Sequence, residues 1–194
     1  MSQLLYLIRH GYSLHNELFK TMGVQAFRIP EVIDSPLIEE GKQQAEELSK
    51  VIHEKEIDLV LVSPLVRTLE TANIIFKDIN IPIKCIEMIR EYPMGEDTCN
   101  QRKDKNELVK LYPHIDFSEI KEDKDIYWKP ERESIENLEK RIDLVKEYIK
   151  QLDYKKIAIV SHNSFMGQFK DKYISYTENG DEELKHCYPY LLTL

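Results

Sequence analysis

The stretch Leu4-Leu5-Tyr6-Leu7-Ile8-Arg9-His10-Gly11 contains five apolar residues in a row and then turns polar. An unbroken apolar run of this length, bounded by polar residues, predicts a strand that is buried on both faces of a sheet. Three further runs have the same character, at 59–62, 83–88 and 157–160. A fifth run, at 190–193, predicts an edge strand.

Segments with helical spacing separate these runs. We predict helices over 39–54, 63–76, 134–152 and 164–174, with a short helical stretch near 108–112, and a polar connection over 10–34. Ser63 and Pro64 are predicted to be the N-cap and first-turn proline of the helix over 63–76. The clearest helix is 134–152, where apolar residues recur at steps of four and three and share one face: Leu138, Ile142, Val145, Ile149 and Leu152.

Buried strands that alternate with amphipathic helices predict an α/β fold, a three-layer α/β/α sandwich around a mostly parallel sheet. The chain has 194 residues and no repeat or linker composition, so we expect one domain over 1–194. A long excursion at about 90–133 interrupts the alternation. In such sheets, ligands bind beyond the carboxyl ends of the strands.

Composition excludes several classes of function. The net charge of −8 argues against nucleic acid or an anionic membrane as a partner, because both are bound by basic surfaces. Three scattered cysteines form neither a metal-binding spacing nor a disulfide framework, so we expect a cytoplasmic protein without a metal or cofactor. The first residues lack the pattern of a signal peptide. The sequence makes no prediction of the oligomeric state.

Basic and acidic side chains follow the predicted strands. Arg9 and His10 follow the first strand, Arg67 comes shortly after the second, and Glu91 and His162 follow the third and fourth. With only seven arginines and six histidines in the chain, this grouping indicates a cationic pocket for a phosphate. A neutral histidine there can attack phosphorus, and a carboxyl group can protonate the leaving oxygen.

These residues carry a family resemblance. Four motifs, each after a predicted strand, resemble those of the histidine phosphatase superfamily, also called phosphoglycerate mutase-like. Further stretches resemble a branch of it that is common in plants and fungi, among them Cys99-x-x-Arg102 and Trp128-Lys129-Pro130. The four motifs are Arg9-His10-Gly11, Ser63-Pro64-Leu65-x-Arg67-Thr68, Arg90-Glu91 with Gly95, and Val160-Ser161-His162.

The resemblance implies a role for each matching residue. His10 is expected to accept the phosphoryl group and Glu91 to donate the proton. The phosphate would be bound by the side chains of Arg9, Asn16, Arg67 and His162, and Gly11 completes the first motif.

Some positions leave alternatives open. Asn163 stands where the family usually has glycine, and its side chain would either narrow the pocket or add a polar contact. Asn100 stands where the branch usually has aspartate. Arg102 would either reach a distal charge of the substrate or form a surface salt bridge. Four histidines have no motif context: His15, His53, His114 and His186.

The sequence therefore predicts a metal-independent phosphatase that hydrolyses phosphomonoesters through a phosphohistidine. Its substrate would be a small phosphorylated molecule or a phosphoprotein. Two alternatives remain. One is transfer of the phosphoryl group within the substrate, as in phosphoglycerate mutases, although the stretch Glu91-Tyr92-Pro93-Met94-Gly95 lacks the mutase lid pattern. The other is a non-catalytic phosphate-binding or scaffold module.

Overall fold

A five-stranded sheet organises the chain in the computed structural model, which describes residues 2–171 and 183–194. The strand order is β3-β2-β4-β1-β5, with β1 to β4 parallel and β5 antiparallel to β1. This confirms the mostly parallel sheet and the edge strand near the end of the sequence, and the structure adds that this edge strand is antiparallel. The strands are β1 (Leu4–Arg9), β2 (Leu59–Val62), β3 (Ile83–Cys85), β4 (Lys156–Ser161) and β5 (Pro189–Thr193).

Helices cover both faces of the sheet, as the sequence predicts. Ile8 and Val60 point toward the layer of α2 (Glu39–Ile52), α3 (Val66–Ile75) and α4 (Lys105–Leu111). Leu7 and Ile159 point toward the layer of α5 (Ile135–Lys150) and α6 (Asn163–Asp171). The α/β/α sandwich thus has one apolar core on each side. Among the described residues, no helix is both long and apolar enough to cross a membrane.

The connection over 10–34 contains a helix that the sequence pattern does not reveal. Helix α1 (Leu14–Met22) is followed by 3-10 helices at Gly23–Phe27 and Pro30–Val32. His15 is the one buried residue of α1. Unlike α2 and α5, the helix therefore buries no apolar side chain in a core, although it has apolar residues.

Two predicted element ends are wrong. Strand β3 stops at Cys85 rather than at 88, and the chain then forms a 3-10 helix at Glu87–Ile89. The N-cap of α3 is Leu65, not Ser63. The carboxylate of Asp34 replaces the expected cap, because its Oδ1 accepts the backbone N–H of Val66 at 2.7 Å. The predicted end of α6 at 174 lies outside the described residues.

The excursion is fastened by two buried arginines. Arg90 forms a bidentate pair with Asp125, at 2.8 and 2.7 Å. Arg102 binds Glu87 through Nε at 2.7 Å, and its Nη1 and Nη2 donate to four backbone carbonyls between 103 and 124. Arg102 thus forms a salt bridge, as one of its two alternatives has it, but this salt bridge is buried rather than at the surface. Its five donors hold the protein's own chain, because burial requires each of them to find a partner. The excursion also contains a 3-10 helix at Thr98–Asn100, and another at His53–Lys55 extends α2.

Candidate active site

The carboxyl ends of β1 and β4 bring two histidines together. Arg9 of β1 lies opposite Ser161 of β4, so the residues that follow them, His10 and His162, are neighbours. Their ring centroids are 5.3 Å apart. Arg67 projects from the first turn of α3, and the charges of Arg67 and Arg9 both act on His10. The structure thus assembles four of the residues that the sequence singles out.

His10 is held in one tautomer. Its ring is 2% exposed, and Nδ1 lies 2.7 Å from the carbonyl oxygen of Gly11. A carbonyl only accepts, so Nδ1 carries the proton and Nε2 keeps its lone pair. Burial, together with the charge of Arg67, lowers the pKa of His10 well below its usual value. The imidazole is therefore neutral at physiological pH, as a nucleophile must be.

Gly11 lets the loop after β1 pack closely on α2. A Cβ atom at this position would lie 2.4 Å from the carbonyl oxygen of Gly41, so no larger residue fits without moving the backbone. The backbone N–H of Gly11 donates to Oγ1 of Thr71 at 2.9 Å, and that hydroxyl donates to the carbonyl of Arg67 at 2.6 Å. The loop that carries His10 and the helix that carries Arg67 are thereby joined.

Arg67 is 1% exposed and anchored at both ends of its fork. Nη1 donates to the carbonyl of Cys99 at 2.7 Å, and Nη2 donates to Oδ1 of Asn100 at 2.8 Å. The other end of the Asn100 amide, Nδ2, donates to the carbonyl of Pro93 at 2.8 Å. An aspartate could not make this last bond, which gives the unusual Asn100 a structural reason.

Several buried nitrogen atoms around His10 have no partner among the described residues. They are Nε of Arg9, Nε of Arg67 and Nδ1 of His162. His162 Nε2 is bound to Oγ of Ser63 at 2.8 Å, and Arg9 Nη1 donates to Glu183 and to the carbonyl of Leu184. Buried polar atoms are normally hydrogen-bonded. The two unpaired Nε–H groups of the guanidinium groups, together with Nδ1 of His162 when its Nε2 accepts from the Ser63 hydroxyl, therefore indicate a site for an anion with several oxygen atoms.

Glu91 lies at the N-terminus of α6. Its Oε1 accepts the backbone N–H groups of Tyr92 at 2.8 Å and of Phe165 at 3.1 Å, whereas Oε2 has only a 3.5 Å contact with Ser164 N. Burial raises the pKa of Glu91 above its usual value, although these N–H groups and Arg67 oppose that effect. A proton on this carboxyl group would sit on Oε2, because Oε1 is already occupied as an acceptor.

Arg141 of α5 holds the segment that carries Glu91. Its Nη1 donates to the carbonyls of Met88 at 2.9 Å and Arg90 at 2.7 Å, and it pairs with Glu133 at 2.8 Å. Nothing in the sequence pattern distinguishes Arg141, since an arginine within an amphipathic helix resembles an ordinary surface charge.

Asn16 and Asn163 make contacts within the protein. Oδ1 of Asn16 accepts from the backbone and the hydroxyl of Ser13, at 3.2 and 2.7 Å, and so caps α1. Oδ1 of Asn163 accepts the N–H of Leu184 at 2.9 Å. Asn163 therefore ties the first residue of α6 to the segment before β5.

Two histidines without motif context also lie beside His10. The ring centroids of His15 and His186 are 5.9 and 5.5 Å from that of His10. Nδ1 of His186 donates to the carbonyl of His10 at 2.6 Å, and burial lowers its pKa to about 3. One signal was available for His186, because the start of an antiparallel strand beside β1 must lie near the end of β1.

The described side chains form no group of three or more His, Cys, Asp or Glu that could hold a metal ion. What they do form is a neutral imidazole facing a cationic pocket, with a carboxyl group of raised pKa nearby. A family model of the histidine phosphatase superfamily (branch 1) matches residues 5–186. The chain belongs to this superfamily.

Relatives within the histidine phosphatase superfamily include both phosphatases and mutase-like proteins. A phosphoglycerate mutase-like protein of Arabidopsis thaliana is 31% identical, over 84% of this chain and 71% of its own length. A probable phosphatase of Schizosaccharomyces pombe is 28% identical, over 81% of this chain and 73% of its own length. In structure, the chain is similar to a phosphoglycerate mutase of Bacillus anthracis, with a TM-score of 0.60, 17% identity, and coverage of 100% and 88%. At 17% identity, the similarity to this mutase structure shows a shared fold and nothing about activity.

Proposed function

We propose that this chain is a metal-independent, histidine acid-type phosphomonoesterase that forms a phosphohistidine on His10. The observation that carries the proposal is the hydrogen bond from His10 Nδ1 to the carbonyl of Gly11, at 2.7 Å. It leaves the Nε2 lone pair as the nucleophile, in a pocket with two buried arginines.

In the first step, His10 Nε2 attacks phosphorus and the bond from phosphorus to the ester oxygen breaks. Oε2 of Glu91 gives its proton to that oxygen, so the leaving group departs as a neutral alcohol. Arg9, Arg67 and His162 stabilise the charge on the remaining phosphoryl oxygens. The unpaired Nε atoms of the two arginines and Nδ1 of His162 support this role.

In the second step, water attacks the phosphorus of the phosphohistidine. Glu91, now ionised, takes a proton from the water, and the bond from phosphorus to Nε2 breaks. Inorganic phosphate leaves, and both His10 and Glu91 return to their starting protonation states.

A second candidate is phosphoryl transfer to another position of the same substrate. It is favoured by the mutase-like name of the Arabidopsis relative. The two candidates share the first step and differ in whether water or a substrate hydroxyl receives the phosphoryl group.

Three further proposals accompany the function. Membership of the plant and fungal branch is supported by the relatives from Arabidopsis and fission yeast. A cytoplasmic location is supported by Cys85, Cys99 and Cys187, which are all unpaired and buried. The chain is proposed to form one domain that acts on a small phosphorylated molecule or a phosphoprotein.

The test is to trap the phosphoenzyme. Rapid acid-free quenching during turnover of a labelled ester, with a chelator present, should give a phosphoenzyme that is stable to base and labile to acid. His10→Ala should abolish trapping and lower turnover by at least ~10³-fold. His53→Ala is the matched control, because His53 is exposed and lies outside the site.

Each outcome decides between the candidates. Release of inorganic phosphate supports the phosphatase, and an isomeric ester without phosphate release supports the mutase. Binding of phosphate without turnover or label would identify a non-catalytic module. Label that persists in His10→Ala would overturn the assignment of the nucleophile.

A further inference from the structure

Helix α1 and the 3-10 helix that follows it carry a mainly apolar strip that begins beside His10 and ends in solvent. We call it the entrance strip and define it as His15, Phe19, Met22 and Phe27. His15, Phe19 and Met22 are spaced four and three residues apart, so they share one face of α1. His15 is buried beside His10, whereas Phe19 and Met22 are 44% and 39% exposed.

Ring contacts make the strip continuous. The His15 ring lies 5.9 Å from His10 and 5.6 Å from Phe27, the latter edge-on. Phe27 in turn stacks on Phe19, with centroids 5.2 Å apart and planes only 7° from parallel. At a helical rise of about 1.5 Å per residue, the strip extends about 10 Å from His15 to Met22. That is room for a leaving group larger than a two- or three-carbon chain.

The basic side chains of this segment offer a second acidic group no unpaired cation. The basic residues of segment 13–29 are Lys20 and Arg28. Lys20 pairs with Glu17 at 2.8 Å, and Arg28 pairs with Glu96 at 2.6 Å and Asp97 at 3.1 Å. A carboxylate or second phosphate on the leaving group would thus meet cations that already have partners.

The tautomer of His15 likewise gives an acidic leaving group no cation to bind. The hydroxyl proton of Ser13 goes to Oδ1 of Asn16, which is fixed as an acceptor because Ser13 N–H also donates to it. Oγ of Ser13, 2.9 Å from His15 Nδ1, therefore accepts at this contact. His15 is neutral, with its proton on Nδ1, and burial lowers its pKa well below the usual value. The inner end of the strip thus adds no positive charge.

We infer that the entrance strip binds the leaving group of the substrate, and that the preferred substrates are phosphomonoesters of neutral, apolar alcohols that bear an aromatic ring. The inference rests on the proposed phosphatase function and specifies its substrate class. We assign the leaving group to the entrance strip because the strip starts in ring contact with His10, the residue that receives the phosphoryl group. A leaving group that extends from phosphorus along α1 would cover the exposed faces of Phe19 and Met22.

Three esters whose alcohols are of similar basicity test the inference. They are propyl phosphate, 3-phenylpropyl phosphate and the phosphate ester of 3-hydroxypropanoate, so that only the group beyond the reacting atoms differs. We expect kcat/KM to be highest for 3-phenylpropyl phosphate, about tenfold above propyl phosphate, given the apolar area that a phenyl ring buries. The carboxylated ester should be the poorest.

Variants of Phe19 test whether the preference for the phenylpropyl ester arises from the entrance strip. In Phe19→Ala the ratio of kcat/KM for the phenylpropyl and propyl esters should fall about tenfold, toward one. Phe19→Leu keeps an apolar side chain and should retain a ratio within threefold of the wild-type ratio. Leu144→Ala, which removes an exposed apolar side chain of α5 in the layer behind the sheet, should leave all constants unchanged.

The outcomes separate the inference from the function on which it rests. Wild-type protein that hydrolyses all three esters equally well overturns the inference and leaves the phosphatase intact. An equal loss on both neutral esters in Phe19→Ala also overturns it, because the strip would then be structural. So does an unchanged ratio accompanied by a change in molecular mass, which would mark the strip as a contact between protein molecules. If the wild-type protein hydrolyses none of the esters, the proposed function itself fails.

Discussion

Oδ1 of Asp34 accepts the backbone N–H of Val66 at 2.7 Å, and through this bond a residue of the connection before α2 fixes the start of α3. Oδ2 of the same carboxylate accepts the N–H of Lys103 at 2.8 Å. Asp34 thus joins three segments that converge on Arg67. The arrangement buries a carboxylate, and that burial raises the pKa of Asp34 from 3.8 to about 6.

The raised pKa of Asp34 predicts a pH dependence of stability. The folded state binds this proton more tightly than the unfolded state, so the stabilising contribution is fully present below about pH 4. It is lost as the pH rises through about 6, and its size is about 3 kcal/mol. In Asp34→Asn the group cannot ionise. The free energy of unfolding of Asp34→Asn, relative to wild type, should therefore increase by about that amount from pH 4 to pH 7.

Urea unfolding at pH 4, 5, 6 and 7 measures this difference. Asp78→Asn is the control, because the carboxylate of Asp78 is exposed in the folded state as well. A difference between wild type and Asp34→Asn that does not vary with pH would show that Asp34 keeps an ordinary pKa.

Arg67 is predicted to be intolerant even of lysine. Its two Nη atoms bind Cys99 and Asn100 while its buried Nε has no partner among the described residues, whereas a lysine has one nitrogen and cannot combine these roles. We expect Arg67→Lys to lower kcat/KM by an amount equivalent to about 2–4 kcal/mol. Steady-state kinetics measure this loss, and Arg28→Lys, which changes an exposed arginine, is the control. Near-normal kinetics in Arg67→Lys would place the phosphate elsewhere.

Glu91→Gln is predicted to separate substrates by their leaving groups. The amide can keep the bonds from Tyr92 and Phe165 to its oxygen but has no proton of suitable acidity to give. Hydrolysis of alkyl phosphates should fall by roughly 10²–10⁴-fold. The burst with p-nitrophenyl phosphate should change far less, because nitrophenolate leaves without a proton.

Transient kinetics are needed for Glu91, since hydrolysis of the phosphoenzyme can limit the steady state. Glu96→Gln, at a carboxylate that pairs with Arg28 outside the site, is the matched control. Equal losses of burst rate with both kinds of ester in Glu91→Gln would mean that another group protonates the leaving oxygen.

Arg102 is predicted to stabilise the fold and not to bind a charged group of the substrate. Arg102→Met leaves Glu87 with one arginine fewer and four carbonyls without their donor, so we expect a loss of about 3 kcal/mol or more. Urea unfolding measures the loss, with the partly exposed Arg132→Met for comparison. A variant of normal stability whose KM rises only for carboxylated esters would restore the distal-charge role.

The sequence predicts the sheet well and the surroundings of the nucleophile poorly. β1, β2 and β4 are found at or within one residue of their predicted ends, since their apolar runs are buried on both faces. Helix α1 was missed because its inner face meets the catalytic pocket rather than an apolar core, so polar His15 occupies the buried position. The helix cap at Asp34 was missed for another reason, namely that its partner lies on a distant segment and leaves no local pattern.

The residues of the candidate site divide in the same way. His10 and His162 can be found because they directly follow strands, and parallel strands place such residues at one edge. Arg141 and His186 act through backbone carbonyls, which are the same for every residue type. No pattern of side chains along the sequence predicts such contacts with backbone carbonyls.

The placement of β5 has a consequence for how the protein is made. β1 precedes the other four strands in the sequence, yet its neighbours on both sides are β4 and β5, so Leu5 pairs with the distant residues Ile157 and Leu192. Pairings between such distant parts of a chain are slow to form, and an unpaired apolar strand invites association with other chains. During synthesis β1 therefore stays without its partner strands until β4 and β5 have also been made, and its apolar run is a target for chaperones that bind short apolar segments.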